Sequence, residues 1–269
     1  MHKKWFDRLR WISIIDKGEY YETGLTQRYK EIFKADTTPG LVLDIGMNIG
    51  WFTLWARAHG HEVAAFEPNP VMHIRVCESL ALNGWDDGSS VKIWPYGLGQ
   101  VEITMNLTMG NNPGGSSFFE ERLAKKARRS LPVKVVTLDS IAVQEGWLDA
   151  DGGPLIHLMK VDVEGFENFV FLGGERLVQS GKVTNIIMEN SSFDSNLVAN
   201  VLDTIFQAGY KVHTLLSVND DPYHPEMTSR INEAIQQIPL KDKADDFEAE
   251  MRFLVKVTCN IWWVKRNSS

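Results

Sequence analysis

The apolar run Leu41–Ile45, which ends in a glycine-containing turn, constrains the fold of this chain more than any other feature. A helical pattern over 51–58 follows the turn, and a second strand-like run over 61–66 follows the helix, so this order predicts a βαβ unit. Acids lie near the ends of the two strands, at Asp44 and Glu67. Because ligands of open α/β sheets bind at the carboxyl ends of the strands, these acids predict a site for a nucleoside-containing cofactor.

Strand-like and helix-like runs alternate along the rest of the chain. The strand-like runs are 41–45, 61–66, 91–96, 155–161, 184–189, 210–217 and 257–264, with 101–105 and 132–136 as two accessory ones. The helix-like runs are 51–59, 70–83, 139–146, 166–180 and 195–208. Apolar strands separated by helices predict an α/β fold with a mostly parallel seven-stranded sheet. The last two core strands lack a helical crossover of the usual kind, so they predict a C-terminal antiparallel hairpin.

The predicted domain organisation has two parts, the second of which carries two insertions. Residues 1–40 are predicted to form an N-terminal helical extension, and residues 41–269 the main domain. Two accessory insertions, 106–131 and 218–250, are predicted inside the main domain, and insertions this long are often functional. The first is expected to be a β element because strand-like runs flank it. For the second, a lid over a site and a surface loop are equal alternatives.

The composition excludes some partners and compartments. Lys and Arg number 28 and Asp and Glu number 35, which gives a net charge of −7 at pH 7. Nucleic-acid-binding proteins usually need a basic face, so no nucleic-acid partner is expected. No apolar run approaches the roughly 20 residues that span a bilayer, and the N-terminus does not resemble a signal peptide. The two cysteines form neither a disulfide framework nor a metal site. We therefore expect a cytoplasmic protein without a membrane partner.

The turn at 46–50 argues against cofactors that carry phosphates. It lacks the lysine and the hydroxyl of a triphosphate-binding loop, and Asn48 breaks the glycine spacing of a dinucleotide fingerprint. Asp44 would also repel a phosphate. An acid at this place suits a cofactor that carries a cation, and S-adenosylmethionine has a sulfonium and an ammonium without a phosphate. The sequence therefore predicts S-adenosylmethionine.

Further cofactor contacts are predicted around the two strand ends. Gly46 and Gly50 allow the methionyl part to lie close to the backbone, and Asn48 tolerates a left-handed conformation better than most residues. Glu67 is predicted to accept hydrogen bonds from the ribose hydroxyls, with Pro68 beside it at the start of a helix. The alternative for Glu67 is an acid that stabilises the helix dipole, and both roles could hold at once.

The chain resembles the FkbM family of S-adenosylmethionine-dependent methyltransferases in a series of ordered motifs. The motifs are Asp44–Gly50, Phe66–Pro70, Gly97–Gly99, Val135–Ser140, Lys160–Glu167, Phe171–Gly174 and Ile187–Glu189. They support a resemblance over residues 41–266, within which the insertion 218–250 has no counterpart. The resemblance implies a Rossmann-like class I methyltransferase fold. It also implies that the adenine would lie after the third strand, near Tyr96, Gly97 and Leu98.

The same resemblance implies a transferase that carries out O-methylation of a hydroxyl on a small molecule, a sugar or a natural-product intermediate. A nucleic-acid or protein methyltransferase is an alternative, although the acidic charge and the absence of a Pro-Pro-aromatic element for base amino groups oppose the first. A non-catalytic S-adenosylmethionine-binding protein is another alternative. An NAD-dependent dehydrogenase is excluded by the glycine spacing. The tryptophans could be core or interface residues, so a homo-oligomer stays open: Trp5, Trp11, Trp262 and Trp263.

Transfer to an alcohol requires a base near the methyl group, and three acids are candidates. Asp162, at the end of the fourth strand, is the first candidate, as a base or as a residue that orients cofactor or acceptor. Glu164 is the second, with a helix N-terminal acid as its alternative, and Glu189 is the third, with a structural hydrogen-bond role as its alternative. The three could hold a divalent cation through oxygen ligands, but no spacing fixes that geometry, so no metal ligand is assigned. Ser116 and Ser117 could reach the acceptor or form the hydrogen bonds of a turn.

Overall fold

The computed structural model describes residues 23–109, 116–119, 129–149, 152–190, 195–217 and 259–265. The predicted insertion 218–250 lies outside this part of the chain. Most of the first predicted insertion and the tryptophans at positions 5 and 11 lie outside it as well.

The described residues alternate between strands and helices, as the sequence predicts. The helices are α1 (Thr23–Ala35), α2 (Trp51–Ala58), α3 (Pro70–Asn83), α4 (Leu138–Gln144), α5 (Glu167–Leu172), α6 (Glu175–Gln179) and α7 (Ser195–Gln207). The strands are β1 (Leu41–Ile45), β2 (Glu62–Phe66), β3 (Val91–Trp94), β4 (Gly97–Leu98), β5 (Ile103–Met109), β6 (Ser116–Ser117), β7 (Arg129–Val136), β8 (Ile156–Val161), β9 (Asn185–Asn190), β10 (Tyr210–Ser217) and β11 (Cys259–Lys265). Among these helices, none is both long and apolar enough to cross a membrane.

Seven strands form one sheet in the order β10-β11-β9-β8-β1-β2-β3. Neighbouring strands from β3 to β9 are parallel, whereas β11 is antiparallel to both β9 and β10. The predicted α/β fold with seven core strands and an antiparallel C-terminal strand pair is therefore observed, in a sheet that is mixed. The strand order reverses between β1 and β8, and such a reversal opens a crevice at the carboxyl ends of the two strands.

The central strands are buried on both faces, which explains why they appear in the sequence as continuous apolar runs. Every residue of β1 and β8 is buried. One face packs against α4, α5, α6 and α7, and the other packs against α1, α2 and α3. Tyr29 of α1 stacks on Phe52 of α2 with 4.4 Å between the ring centroids. The described part of the N-terminal extension thus packs on the core of the main domain.

The predicted helix 166–180 is two shorter helices, α5 and α6, which meet at Gly173 and Gly174. A β-carbon at Gly173 would lie 2.0 Å from the carbonyl oxygen of Gly99. The backbone therefore approaches the segment after β4 more closely than any side chain permits. The prediction of one continuous helix is wrong because the glycine pair, which has a low helix propensity, separates α5 from α6.

The third core strand is shorter than the predicted run 91–96, because β3 ends at Trp94 and Pro95 follows it. Proline cannot donate a hydrogen bond to a strand ladder. Gly97 and Leu98 instead pair with β7 in a second sheet of order β4-β7-β5-β6. The placement of Tyr96 at the end of the third core strand is therefore wrong.

The second sheet contains the accessory strands predicted at 101–105 and 132–136. They are longer than expected and lie at Ile103–Met109 and Arg129–Val136, where they pair antiparallel along their whole length. The two residues of β6 extend this sheet beside the end of β5. This pairing brings the segment 116–119 close to the carboxyl ends of the core strands.

Candidate functional site

The turn after β1 is held against β2 by backbone hydrogen bonds. The N–H groups of Gly46 and Met47 both donate to the carbonyl oxygen of Phe66, at 2.9 and 3.0 Å. Gly46 has a φ of +80°, and a β-carbon there would lie 1.8 Å from the carbonyl oxygen of Asp162. Only glycine satisfies both the left-handed conformation and this close approach.

The second half of the turn leads directly into α2. Asn48 adopts a φ of 52°, a left-handed conformation that asparagine tolerates. Gly50 has a φ of +81°, and a β-carbon at this position would lie 2.7 Å from a methyl group of Val76. The N–H groups of Gly46, Met47, Asn48 and Gly50 are thus all bonded within the protein, and α2 packs closely against α3.

Asp44 lies beneath the turn and is almost completely buried, with 1% of its surface exposed. Its Oδ2 accepts a hydrogen bond of 2.6 Å from the Thr53 hydroxyl on α2. Its Oδ1 lies 3.5 Å from the ammonium of Lys160 on β8. A buried carboxylate needs such partners, and here they fix its orientation at the end of β1.

Glu67, at the end of β2, connects the two turns that surround the crevice. Its Oε2 accepts a hydrogen bond of 3.1 Å from the backbone N–H of Asn48, and its Oε1 accepts one of 2.8 Å from that of Asn69. Each carboxylate oxygen has a second lone pair, so these bonds leave capacity for further donors. Burial raises the pKa of Glu67 to about 7, although both backbone bonds act in the opposite direction.

This pKa predicts a dependence of folding stability on pH. Glu67 takes up a proton with a pKa of about 7 in the folded chain and 4.5 otherwise. Glu67 therefore binds more protons in the folded chain between these values, and its contribution to the free energy of unfolding should fall by about 3 kcal/mol as the pH rises from 4.5 to above 7. Urea unfolding across this range checks the prediction.

The variant Glu67→Gln isolates this contribution, because an amide does not titrate. Its free energy of unfolding should change less with pH than that of the wild type, whereas Glu62→Gln, at an exposed position of β2, should retain the wild-type slope. Equal slopes for Glu67→Gln and the wild type would contradict the prediction.

Three acids meet on the opposite side of the crevice. Oxygen atoms of Asp162, Glu167 and Glu189 all lie within 4.8 Å of one another. Two of these, Asp162 and Glu189, are sequence-predicted candidates, and they belong to the ends of β8 and β9. The carboxylates are close enough to share a cation or a proton. Glu167 Oε1, however, accepts hydrogen bonds from the N–H groups of Val163 and Gly165, so it also shapes the loop after β8.

Glu164 does not belong to this group of acids among the described residues. It is exposed and has a φ of 56°, which is unusual for a residue other than glycine. Its carbonyl oxygen accepts a hydrogen bond of 3.0 Å from the Ser117 hydroxyl. Among the described residues, Glu167 and not Glu164 therefore lies with Asp162 and Glu189.

Glu167 is the acid that the sequence reasoning missed. It is 1% exposed, and burial raises its pKa. The available signal was its position three residues after Glu164, in the first turn of the predicted helix. That position also fits a solvent-exposed acid beside a helix dipole, so local sequence could not separate the two.

Four further residues are predicted cofactor contacts: Pro68 beside the ribose, and Tyr96, Gly97 and Leu98 near the adenine. Pro68 and Tyr96 are partly buried, whereas Gly97 and Leu98 are buried. Leu98 belongs to the hydrophobic core, so only its backbone is available to a ligand. The Lys134 ammonium lies 4.9 Å from the centre of the Tyr96 ring, a cation–π contact.

The serines predicted to reach an acceptor instead bridge the two walls of the crevice. The Asn69 side-chain amide donates a hydrogen bond of 3.0 Å to the Ser116 hydroxyl, and the Ser117 hydroxyl bonds to Glu164. Phe119 continues the same segment, with its ring 5.6 Å from that of Phe166. The segment therefore joins the end of β2 to the loop after β8.

Most sequence-predicted residues thus surround one crevice. Direct hydrogen bonds join the 46–50 turn to Glu67, and an ammonium bridges Asp44 to Asp162. The arrangement places a partly buried turn, the Glu67 carboxylate and the group of three acids around the same strand ends. It can accept hydrogen bonds from a ligand rich in hydroxyl or ammonium groups.

Comparison with known proteins identifies a sequence relationship. Residues 44–212 match the family model described as the methyltransferase FkbM domain. No curated protein matches the chain.

Several solved structures are similar to the chain at low sequence identity. Methyltransferase FkbM from Methylobacillus flagellatus is 17% identical, with a TM-score of 0.44. The similarity covers 65% of this chain but only 40% of that protein. StiE O-MT is 10% identical, with a TM-score of 0.41 over 97% of this chain and 84% of its own. A TehB-like SAM-dependent methyltransferase from Corynebacterium glutamicum is 9% identical, with a TM-score of 0.41 over 96% of this chain and 95% of its own.

Proposed function

We propose that this chain, which belongs to the methyltransferase FkbM family, uses S-adenosylmethionine to methylate a hydroxyl group of a small molecule. The observation that carries the proposal is the connected pair of turns at the ends of β1 and β2. Glu67 holds the 46–50 turn through Asn48 and remains able to accept hydrogen bonds. This geometry lies at the strand-order reversal, where α/β sheets bind nucleoside-containing ligands.

The charges around the crevice favour a cationic cofactor. Asp44 and Glu67 lie at the ends of adjacent strands, and Asp162 lies at the end of β8 on the other side of β1. The described cation among them, Lys160, is within 3.5 Å of Asp44 and 3.3 Å of Asp162. An anionic phosphate would meet repulsion here, whereas a sulfonium and an ammonium would be stabilised.

Each part of the cofactor is assigned to a part of the site. Glu67 is placed to accept hydrogen bonds from the ribose hydroxyls, and the 46–50 turn would border the methionyl part. The missing side chains at Gly46 and Gly50, however, make room for Asp162 and Val76 and not for a ligand, which corrects the reason predicted for these glycines. Pro68, Tyr96, Gly97 and Leu98 would border the adenine. S-adenosylmethionine, when bound, supplies an activated methyl group for an in-line displacement, and the protein supplies orientation.

The acidic wall supports transfer to oxygen. An alcohol must lose its proton as the new bond forms, and a carboxylate within hydrogen-bond reach can accept that proton. Asp162 is the proposed base because it ends β8 beside the turn, and Glu189 is the second choice because it is grouped with Asp162 and Glu167. Glu164 is exposed and outside this group, so we assign it no role in the chemistry.

No metal is part of the proposed reaction. The three grouped acids offer oxygen ligands that a hard cation prefers. Glu167, however, is engaged by two backbone N–H groups, and the acids alone account for a proton-accepting wall.

Calorimetry with separate ligands tests the function. S-adenosylmethionine and S-adenosylhomocysteine should both bind, and NAD should not, since the charges disfavour a pyrophosphate. The variants Asp44→Ala and Glu67→Ala should weaken binding by about tenfold or more, because each removes a charged hydrogen-bond acceptor or its support.

The outcome separates the function classes. Absence of binding by both sulfur ligands would overturn the methyltransferase proposal, and binding of NAD would favour a dehydrogenase. Binding without methyl transfer to any hydroxyl in a panel of sugars, polyketides and amino acids would favour a non-catalytic role or an acceptor of another class.

A further inference from the structure

Lys160 is a buried cation in the middle of the crevice floor. It lies on β8 directly opposite Asp44 in the parallel pairing of β1 with β8, and only 3% of its surface is exposed. A lysine this far from water is rare unless charged partners offset the cost of burial. Its contacts therefore indicate its role.

The ammonium of Lys160 joins β1 and its turn to the loop after β8. It donates a hydrogen bond of 2.8 Å to the carbonyl oxygen of Gly46, in the turn after β1. It lies 3.5 Å from Asp44 Oδ1 on β1 and 3.3 Å from Asp162 Oδ2 in the loop after β8. The ammonium also lies over the Phe52 ring, 5.7 Å from its centre.

These contacts relate the two halves of the site. The Gly46 carbonyl belongs to the turn that would receive the methionyl part of the cofactor, and the Asp162 carboxylate belongs to the wall that would receive the acceptor. The Asp162 N–H also donates 3.0 Å to the carbonyl oxygen of Ile45. One backbone bond and one ammonium therefore connect the turn to the acid.

We propose that Lys160 is a positioning residue, which holds the cofactor turn and the Asp162 carboxylate in one fixed relation for methyl transfer. This role rests on the proposed methyltransferase function. In the proposed role Lys160 contacts neither the cofactor nor the acceptor, and it acts through Gly46 and Asp162. Displacement of a reacting group by about 1 Å can lower a rate about 100-fold, so loss of this link should affect turnover strongly.

A double-mutant cycle on turnover tests the role. The proteins are the wild type, Lys160→Met, Asp162→Asn and the double variant, each assayed for S-adenosylmethionine affinity and for kcat on an accepted hydroxyl. Lys160→Met should weaken cofactor binding about tenfold, because a charged hydrogen bond to the turn is lost, and should lower kcat about 100-fold. In the Asp162→Asn background it should lower kcat little further, since residues that act as a unit are not additive.

A matched control separates this effect from general loss of a lysine contact. Lys182 also donates its ammonium to a backbone carbonyl, that of Asp149, but it lies at the amino ends of the strands. Lys182→Met should leave cofactor affinity and kcat unchanged. Far-UV circular dichroism and urea unfolding establish that each variant is folded under the assay conditions.

The outcomes distinguish this inference from the proposed function. If wild-type protein binds no S-adenosylmethionine, the methyltransferase proposal fails. If wild-type protein binds it and the effects of Lys160→Met and Asp162→Asn on kcat multiply independently, the positioning role is overturned. Should Lys160→Met not fold, hydrogen exchange of the wild type decides. Cofactor binding should then protect residues 46–50 and 162–165 together, and protection of the turn alone overturns the role.

Discussion

Replacement of Gly46 by alanine is expected to destabilise the protein by about 3–5 kcal/mol and to abolish measurable cofactor binding. The new β-carbon would lie 1.8 Å from the carbonyl oxygen of Asp162 and 3.1 Å from a methyl group of Val163. Neither backbone segment can move alone, because the Asp162 N–H bonds to the carbonyl oxygen of Ile45. The turn and the loop after β8 must therefore separate.

Gly60→Ala is the matched control for backbone strain. Gly60 has a φ of +89°, close to that of Gly46, but a β-carbon there would meet no atom within 4 Å. It should cost only about 1–2 kcal/mol, the strain of a left-handed alanine, and should leave cofactor affinity unchanged. Urea unfolding and calorimetry with S-adenosylmethionine measure both quantities. Equal destabilisation by the two substitutions would show that the close approach to Asp162 is not what requires glycine.

Replacement of Asp162 by asparagine is expected to lower kcat by about 10²–10⁴-fold, the usual contribution of a positioned base. Asparagine has nearly the same shape and keeps the backbone contacts of the loop, but its amide cannot accept the acceptor's proton. The fold should persist because the Asp162 side chain is partly exposed, Lys160 keeps Asp44 and the Gly46 carbonyl as partners, and the neutral replacement removes one of several clustered negative charges. Cofactor affinity should change less than kcat.

Glu164→Gln is the control for this experiment. Glu164 is two residues away in the same loop, but its side chain is exposed and lies outside the group of acids. Steady-state kinetics on an accepted hydroxyl should show near wild-type kcat for Glu164→Gln. A kcat for Asp162→Asn within a few-fold of the control would remove Asp162 as the base and leave Glu189 as the next candidate.

The sequence predicts features that depend on neighbouring residues more accurately than features that depend on distant contacts. Strands β1, β2 and β8 were predicted within about one residue, since buried parallel strands carry continuous apolar runs. The turn at 46–50 was recognisable because glycine and asparagine are tolerated in left-handed conformations. These signals lie within a few residues of one another.

Features set by distant contacts were missed. The close backbone approach of Gly173 to Gly99, which requires glycine at the break between α5 and α6, joins segments more than 70 residues apart. The choice of Glu167 rather than Glu164 for the acidic wall depends on a left-handed loop that is bonded to Ser117, 47 residues earlier. No pattern around residue 164 reports on either contact.

The sequence by itself determined the α/β class, the order of the elements and the two acids at the ends of β1 and β2, because hydrophobic period and turn chemistry are local properties. Only the tertiary structure decided which acids share the opposite wall and how the two sides connect. Lys160 illustrates the reason, which is that tertiary contacts join residues far apart in the chain. Its sequence neighbours indicate only a buried strand. Its proposed role depends on Gly46 and Asp44, which lie more than 110 residues away and are brought to it by strand pairing.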